Sequence, residues 1–404
     1  MGAAAVAAAL AGAWLATRLA DPYANPDSHA FEALARSLLA GHGLVYREPM
    51  LPGLDLFAFR SPGYGVFLAG ALALGGVRFT IALQGALTAL WILLWADFAR
   101  RLGGRRAGLW TAIGALGLGL AWRFAGQLMT ETLYATLLAL AVWLGHVVSE
   151  RTRRGRPPGA WAVLALGATL AAAVLTRPSG FALVGACLVV ALASPAARRG
   201  LVPALLVALV LWSPWPLRNA RVLGAAVPSL TSGGINAWDG ATGRRIGDGW
   251  KIAADHVSLG ELGLDRMFWR LAREEVRAHP LACAGRLARR VRDTVLPPAP
   301  WHGQWTHALL WGPALAGLAL AMRRVTPWSA ALGWPLAVWA AHGLLAAITV
   351  TNDRYRFPSD GVVLALGGLG IEALIHRFGA TRGALAAAGC VAAGLGLALL
   401  RHAG

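Results

Sequence analysis

Long apolar runs recur along almost the whole chain, and no other feature of the sequence limits its fold as strongly. Eleven runs of 16 to 22 residues are long enough, or nearly so, to cross a hydrocarbon core of ~30 Å as helices. Only 14% of the 404 residues are charged, whereas a soluble domain carries about 25%. The pattern predicts an all-α polytopic membrane protein with about eleven transmembrane helices in a single integral membrane domain, residues 1–404. It excludes a soluble enzyme, a secreted disulfide scaffold and a disordered chain. The runs lie at 3–20, 79–98, 107–122, 131–148, 160–176, 179–195, 201–217, 305–322, 328–349, 358–376 and 383–400.

Arginine clusters between the runs indicate how the helices are oriented. Five short loops carry them, and two predicted spans separate each loop from the next, so all five lie on one side, taken as cytoplasmic. The net charge of +18 is explained in this way, and no nucleic-acid partner is predicted. The clusters are Arg100, Arg101, Arg105 and Arg106; Arg151, Arg153, Arg154 and Arg156; Arg198 and Arg199; Arg323 and Arg324; and Arg377 and Arg382.

A twelfth apolar run, residues 62–76, has only 15 residues and would measure about 22 Å as a helix. We therefore predict a short helix that does not cross, which puts the preceding loop, residues 21–61, on the extracytoplasmic side. If the run crosses instead, residues 21–61 lie in the cytoplasm, an arrangement that Arg18 favours. We adopt the first topology because it gathers the unusual polar clusters of the chain on one face.

One long hydrophilic segment, residues 218–304, is predicted on that same extracytoplasmic face. It begins with a Gly/Ser/Asn turn region from Ser232 to Gly240. An amphipathic stretch at 265–295 follows, interrupted at Pro280 and rich in Arg, Leu and Val. Such a stretch is typical of helices that lie along a membrane surface.

Carboxylates at the membrane edge are the first candidates for chemistry, because the chain has only 19 acidic residues. Asp27 opens a helical pattern as an acidic N-cap. Two interpretations fit it: a cap of a surface helix, or a general base or acceptor anchor facing a water-filled cavity. Glu131 begins a predicted span, where the helix dipole favours an acid, but a carboxylate at a membrane edge is also a functional candidate.

Five arginines lie on the predicted extracytoplasmic face, where positive charge is usually scarce. Each taken alone is typical of a side chain that extends to the membrane interface. Together they indicate an anionic ligand, because guanidinium groups bind phosphate in a bidentate manner. In a membrane enzyme, that ligand would be a lipid phosphate. The five are Arg60, Arg177, Arg218, Arg354 and Arg356.

Other kinds of site find little support in the sequence. The three cysteines, Cys187, Cys283 and Cys390, are scattered and form no metal-binding spacing. A divalent metal held by Asp21 or Asp27 is not indicated, since two carboxylates alone are a weak signal. The sequence contains no P-loop, no GxSxG and no HExxH motif. No cofactor is therefore predicted.

The order of the polar motifs resembles that of bacterial GT-C glycosyltransferases of the protein-mannosyltransferase and aminoarabinose-transferase type. The resemblance runs across most of the chain. Two features depart from the usual pattern: Phe31 stands where a tyrosine is common, and Gly65 where a second proline is common. The motifs are Asp27-Ser-His-Ala-Phe31, Leu38-Leu-Ala-Gly-His-Gly43, Arg60-Ser-Pro-Gly-Tyr64, Thr130-Glu131-Thr-Leu133, Thr176-Arg177-Pro178, Trp215-Pro-Leu-Arg218-Asn219, Ser232-Gly-Gly-Ile-Asn236-Ala-Trp238 and Arg354-Tyr355-Arg356-Phe-Pro358.

The resemblance implies an inverting glycosyltransferase of the bacterial inner membrane, with its active site facing the exterior. A sugar would move from a polyprenyl-phosphate donor to a hydroxyl or similar group of a lipid, glycan or protein acceptor. Asp27, with Asp21 as the alternative and Glu131 as a further candidate, would supply the catalytic carboxylate, and the five arginines would hold the donor phosphate. Substrate contacts would come from Tyr64, Asn219, Asn236, Trp238 and Tyr355.

Two other classes remain open from the sequence. A many-span glycan polymerase or ligase would share the lipid-linked substrate but not the acid directly after the first span. A transporter would explain the spans, but it would normally carry polar residues near the middle of a span or interrupted helices in paired halves. The polar clusters of this chain lie at span edges.

Overall fold

The structure is a computed structural model that describes residues 2–244, 247–296, 305–323, 327–348 and 353–402. Some predicted positions lie outside these described residues. They are Arg324 of the fourth arginine cluster, residues 245–246 and 297–304 of the predicted 218–304 segment, residue 349 at the end of a predicted run, and residues 1, 403 and 404 of the predicted domain.

The described chain is mostly helical, as the apolar runs predict. Its only described strands form a two-stranded antiparallel pair, β1 (Tyr46–Arg47) with β2 (Asp55–Leu56), and Val257–Leu259 forms a short 3₁₀ turn. The helices are α1 (Gly2–Arg18), α2 (Asp27–Leu39), α3 (Pro62–Leu116), α4 (Gly119–Ala125), α5 (Thr130–Arg153), α6 (Ala160–Thr176), α7 (Gly180–Ala193), α8 (Pro195–Trp212), α9 (Pro214–Leu223), α10 (Gly233–Thr242), α11 (Asp248–Ala254), α12 (Gly260–Ala278), α13 (Pro280–Val295), α14 (Trp305–Arg323), α15 (Pro327–Ile348), α16 (Asp353–Phe378) and α17 (Ala380–His402).

Within the described residues, five helical segments are long and apolar enough to span a membrane, which makes the chain a multi-pass membrane protein. Four shorter apolar helices accompany them, at Ala160–Thr176, Gly180–Ala193, Ala308–Ala319 and Leu332–Leu345. The five longer segments are Pro62–Leu116, Thr130–Arg153, Pro195–Leu223, Arg354–Phe378 and Ala380–Leu399.

Two predicted runs differ from the helices observed. The run 107–122 is not one helix, because α3 ends at Leu116 and α4 begins at Gly119. The run 201–217 is divided between α8 and α9 around Ser213. Pro214 explains this second break: proline has no N–H to continue a helix but is well suited to start one.

The short run 62–76 forms the first part of α3 and folds back on the helix that follows it. The reversal occurs at Gly75 and Gly76, and the positive φ of Gly76, +69°, is one that a residue with a Cβ rarely adopts. On the returning segment Gln84 accepts a hydrogen bond from the Tyr64 hydroxyl at 2.9 Å. Tyr64 and Gln84 therefore lie at the same level, although the chain reverses between them.

The largest apolar core lies among the membrane helices and brings distant segments together. Trp91 and Trp95 of α3 are almost fully buried in it, beside Phe357 of α16 and Tyr134 of α5. Because α16 packs against both α3 and α5, its N-terminal residues are placed beside the start of α5. This packing positions Arg354 next to Glu131.

A second apolar core connects the first loop with the 218–304 segment. Its members include Leu51 and Phe59 from the loop, and Trp238 and Phe268 from α10 and α12. Glu261 joins the two parts: its carboxylate accepts hydrogen bonds from the backbone N–H groups of Phe57 and Ala58 at 2.6 and 2.8 Å. Pro280 begins α13, so the predicted interruption of the amphipathic stretch is confirmed.

Candidate active site

Asp27 lies between two arginines that come from distant parts of the chain. Its Oδ1 is 2.6 Å from Nη2 of Arg60, and its Oδ2 is 2.6 Å from Nη1 of Arg354. Asp27 is the first residue of α2, and Pro26 rather than Asp27 occupies the cap position. The expectation that Asp27 caps the helix therefore differs from the structure, in which its carboxylate points to the arginines instead.

Glu131 extends the same ionic network on the other side of Arg354. It accepts a short hydrogen bond from Arg354 Nε, and its Oε1 lies 2.8 Å from Nη1 of Arg177. The Glu131 side chain is fully buried. The aromatic ring of Tyr355 lies beneath both arginines, with guanidinium-to-ring distances of 5.1 Å for Arg177 and 5.8 Å for Arg354. Glu131 thus holds two arginines in fixed positions.

All five residues of this ionic network lie at or next to the ends of helices. Asp27, Glu131 and Arg354 lie in the first turns of α2, α5 and α16, whereas Arg60 precedes α3 and Arg177 follows α6. Helix ends meet on one face of the bundle, so five segments contribute one side chain each.

Three guanidinium groups and two carboxylates leave this network with one surplus positive charge. Burial alone would raise the pKa of Asp27, but the nearby charges of Arg60 and Arg354 outweigh burial and lower this pKa to about 2. The same pairing works in the opposite direction on Arg60. Burial opposes its charge, but neighbouring Tyr46 and Asp27 raise the pKa of its guanidinium. Both partners are therefore charged at neutral pH.

A cavity of about 160 Å³, here called the arginine cavity, opens beside this network. Arg60, Arg177 and Arg354 form its cationic wall. Neutral hydroxyl, amide and imidazole groups line the remainder, together with apolar side chains. These other lining residues include Ser61, Ser179, Ser232, Asn236, His342 and Tyr355.

A second cavity of about 520 Å³, here called the loop cavity, is lined by Asp27 and Arg354. Residues 24–27 of the first loop form one wall, and Arg123 and Trp250 lie on others. Arg354 lines both cavities. The Asp27–Arg354 pair therefore stands at the boundary between two spaces, an arrangement suited to a group that passes from one molecule to another.

Several predicted site residues do not reach either cavity. Arg218 donates hydrogen bonds to the carbonyl oxygens of Phe57 at 2.7 Å and Leu44 at 3.0 Å, so it braces the first loop. Asn219 is buried beside it and bonds to the Val227 carbonyl at 2.9 Å. Arg356 is buried and pairs with Asp360 at 3.1 Å within α16.

The remaining predicted residues divide between the cavities and the surrounding structure. Asn236 and Tyr355 line the arginine cavity. Tyr64 is fully buried against Phe31, and Trp238 belongs to the second apolar core. Asp21 is exposed in the turn before α2, where its backbone carbonyl accepts a hydrogen bond from Ala24 N–H at 3.2 Å.

Several lining residues were not predicted from the sequence, among them His342, Arg123 and Trp250. His342 lies in the middle of α15 and lines the arginine cavity; a lone histidine in an apolar run carries little signal. Arg123 precedes α5 and was not part of any motif, although an arginine near the start of a span was a usable sign. Trp250 reaches the loop cavity from α11, which the sequence did not predict as a helix.

Among the described residues, no group of three or more His, Cys, Asp or Glu side chains could hold a metal ion.

Comparison with solved structures shows that the fold of the chain is a known one. The chain superposes on the oligosaccharyltransferase of Archaeoglobus fulgidus tethered to an acceptor peptide, with a TM-score of 0.56 and 14% identity. The match covers 99% of this chain and 54% of that one. A second structure, the archaeal oligosaccharyltransferase AglB in complex with an inhibitory peptide and a dolichol-phosphate, gives a TM-score of 0.55 and 13% identity over 98% and 55% of the two chains. The chain has the same fold as these two structures.

This chain spans about half the length of the oligosaccharyltransferases that it matches. At these identities the likeness concerns the fold alone. ArnT from Cupriavidus metallidurans bound to undecaprenyl phosphate is also similar, with a TM-score of 0.43 and 18% identity over 93% of this chain and 79% of that one. No family model and no curated protein matches the sequence.

Proposed function

We propose that this chain is a GT-C membrane glycosyltransferase that moves a sugar from a polyprenyl-phosphate donor to a hydroxyl or similar acceptor group. The observation that carries the proposal is the Asp27–Arg354 pair at the boundary between two cavities. The acceptor is a lipid, a glycan or a protein, and the site faces the exterior of the bacterial inner membrane. A solved structure of the same fold holds a dolichol-phosphate, which supports a lipid phosphate as part of the substrate.

The donor phosphate is proposed to bind in the arginine cavity. Arg60, Arg177 and Arg354 line it, and the network has one surplus positive charge to offer an anion. A guanidinium group can donate two parallel hydrogen bonds to two oxygens of one phosphate. The three arginines would also stabilise the negative charge that develops on the phosphate as it leaves. Arg218 and Arg356 have no place in this proposal, because their side chains bind within the protein.

Asp27 is proposed as the group that activates the acceptor. While Arg60 and Arg354 both pair with Asp27, the pKa of its carboxylate is about 2. A carboxylate with so low a pKa is a poor base. A donor phosphate that competes for Arg60 and Arg354 would weaken both ion pairs, so the pKa of Asp27 would rise and the carboxylate would become more basic. Binding of the donor would thereby prepare the base for an acceptor in the loop cavity.

The proposed reaction is an inverting displacement at the anomeric carbon of the donor sugar. The acceptor oxygen forms a bond to the anomeric carbon from the face opposite the phosphate, and its proton passes to Asp27. The bond between the anomeric carbon and the phosphate oxygen breaks, and the electron pair leaves with the polyprenyl phosphate. Because phosphate is already a good leaving anion, no general acid is needed. Glu131 does not touch the acceptor in this scheme but positions Arg354 and Arg177.

The test is a transfer assay with purified protein in lipid nanodiscs. A panel of polyprenyl-phosphate monosaccharides is supplied with membrane lipid extract as acceptor, and release of polyprenyl phosphate is measured. We expect Asp27→Asn to abolish release while donor binding persists. Glu32→Gln is the matched control, since Glu32 is on the same helix and pairs with exposed Arg36. Full activity of the Asp27→Asn protein would refute the proposal.

A further inference from the structure

A third cavity, here called the far cavity, lies at the other end of α5 from the candidate active site. Its volume is about 200 Å³. Glu150 lines it and is 19 residues from Glu131 on the same helix. At ~1.5 Å per residue the two sites are about 28 Å apart, close to the thickness of a hydrocarbon core. The polar residues lining the far cavity are Arg101, His146, Glu150, Arg151, Arg154 and Arg156.

Positive charge dominates the far cavity. Four guanidinium groups face one carboxylate, Glu150, which pairs with Arg154 at 2.8 Å and lies 3.7 Å from Arg153. Arg101 is bound to Asp97 at 2.6 Å. No carboxylate or carbonyl partner for the Arg156 guanidinium occurs in the part of the chain that the structure describes. The cavity therefore holds more cations than its own acids can neutralise.

His146 gives the cavity a buried polar group as well as charge. Only 6% of the residue is exposed, and its ring lies nearly perpendicular to the ring of Phe98, with the two ring centroids 5.4 Å apart. Its Nδ1 is buried and has no hydrogen-bond partner among the described residues. His146 therefore adds a largely buried imidazole to the lining of the cavity.

The surroundings of the far cavity indicate the depth at which it lies. Trp161 is 60% exposed, and a Cβ placed on Gly159 would lie 3.3 Å from Trp161 Nε1 and 4.0 Å from Arg151 Nε. Trp161 and Arg151 are thus neighbours. Exposed tryptophans mark the interface between hydrocarbon and water, and the cavity lies where α5 leaves its apolar part. A ligand at this level can keep acyl chains in the membrane.

We propose that the far cavity binds the phosphate headgroup of an acidic phospholipid. The phosphate would contact Arg151, Arg154 and Arg156, and the rest of the headgroup would lie beside His146. Basic pockets between membrane helices suit such headgroups. A free phosphate has the same chemistry, but the interfacial depth favours the lipid. The site is independent of the sugar-transfer site, since no lining residue is shared.

Native mass spectrometry of the purified full chain tests this proposal. Protein stripped of lipid in detergent is titrated with phosphatidylglycerol, with phosphatidylcholine and with inorganic phosphate. We expect retention of one phosphatidylglycerol, little phosphatidylcholine and no retained phosphate. Replacing arginines near the lipid is expected to weaken binding about fivefold for each one removed. Arg156→Gln is the first variant, because Arg156 is exposed and supports no internal contact.

The double variant Arg151→Gln/Arg156→Gln should weaken phosphatidylglycerol binding about 25-fold, and Arg105→Gln/Arg106→Gln is its matched control. The control removes the same charge from exposed positions on the preceding arginine loop. Equal loss of binding in both double variants would overturn the proposal, because it would show attraction to charge in general. Inorganic phosphate binding as well as the lipid would overturn the assignment to a phospholipid.

Discussion

Nη1 of Arg354 lies 2.6 Å from Oδ2 of Asp27, although 327 residues separate them in the sequence. Arg354 also binds Glu131, so one guanidinium group connects the first loop to the start of α5. The packing of α16 against α3 and α5 makes this contact. The two cavities that this pair separates are thus defined by a long-range tertiary contact and not by a local motif.

Replacing Arg354 by glutamine should weaken polyprenyl phosphate binding about tenfold to a hundredfold, because hydrogen bonds to charged groups are among the stronger ones. Binding of undecaprenyl phosphate to protein in detergent is the measurement. Arg123→Gln is the control, since Arg123 lines only the loop cavity and should leave this affinity unchanged. Equal losses in both variants would place the phosphate elsewhere.

Glu131 should matter more for the folded arrangement than for chemistry. Glu131→Gln leaves buried Arg177 without a carboxylate partner and leaves Arg354 with Asp27 alone, and breaking a buried pair costs about 3–5 kcal/mol. We expect a lower midpoint of thermal unfolding and a double-mutant cycle with Arg177→Gln that is strongly non-additive. If the two effects simply add, Glu131 and Arg177 do not act as a pair.

Arg218 was predicted from its motif to bind phosphate, whereas in the structure it bonds to the first loop, and a variant distinguishes these two roles. Arg218→Ala removes hydrogen bonds to the carbonyl oxygens of Leu44 and Phe57, at a cost of roughly 1–3 kcal/mol. Limited proteolysis should therefore cut the first loop faster. Affinity for undecaprenyl phosphate should stay within about twofold of the wild-type value. A loss as large as that of Arg354→Gln would show that Arg218 binds the phosphate after all.

Two acids of the second core should make its stability depend on pH. Burial raises the pKa of Asp239 and Asp265 to about 6 each, and Asp248 adds to the effect on Asp239. Between about pH 4 and pH 6 the folded state binds more protons than the unfolded state. The free energy of unfolding therefore falls as pH rises through this range and levels off above it.

Hydrogen exchange of α10 and α12 at pH 4.5, 6 and 7.5 measures this dependence. The Asp265 carboxylate accepts a hydrogen bond from the Gly234 N–H at 2.7 Å. Asp265→Asn keeps an oxygen that can accept this hydrogen bond but removes the negative charge. Protection at pH 7.5 should increase in this variant, and its pH dependence should flatten. Exposed Asp255→Asn is the control. An unchanged pH profile in Asp265→Asn would exclude this acid as the cause.

Much of the fold was predictable because hydrophobic runs report directly on helices in a membrane. The start of α5 at Thr130 and the break at Pro280 follow from local sequence. Proline explains the unpredicted division at Ser213, and in the run 107–122 the end of α3 at Leu116 is followed by the cap residue Gly117, a local signal for a helix end. The reversal at Gly75 and Gly76 depends on what the two segments pack against.

The candidate site was predictable in part, for a physical reason. Arginines on one face indicated an anion, and Asp27, Arg60, Arg177 and Arg354 do come together. The sequence could not distinguish these arginines from Arg218 and Arg356. An arginine that binds a ligand and an arginine that bonds within the protein are the same residue type, with similar flanking residues. His342 could not be found, since only tertiary packing turns it toward a cavity.

The most direct test of the central claim is the affinity of undecaprenyl phosphate for the arginine cavity. Native mass spectrometry of wild-type protein, Arg60→Gln and Arg177→Gln gives this affinity, with exposed Arg36→Gln as the control. The proposed site predicts that both cavity variants lose about tenfold or more, while Arg36→Gln binds as the wild type does. Equal binding by all four proteins would contradict the account.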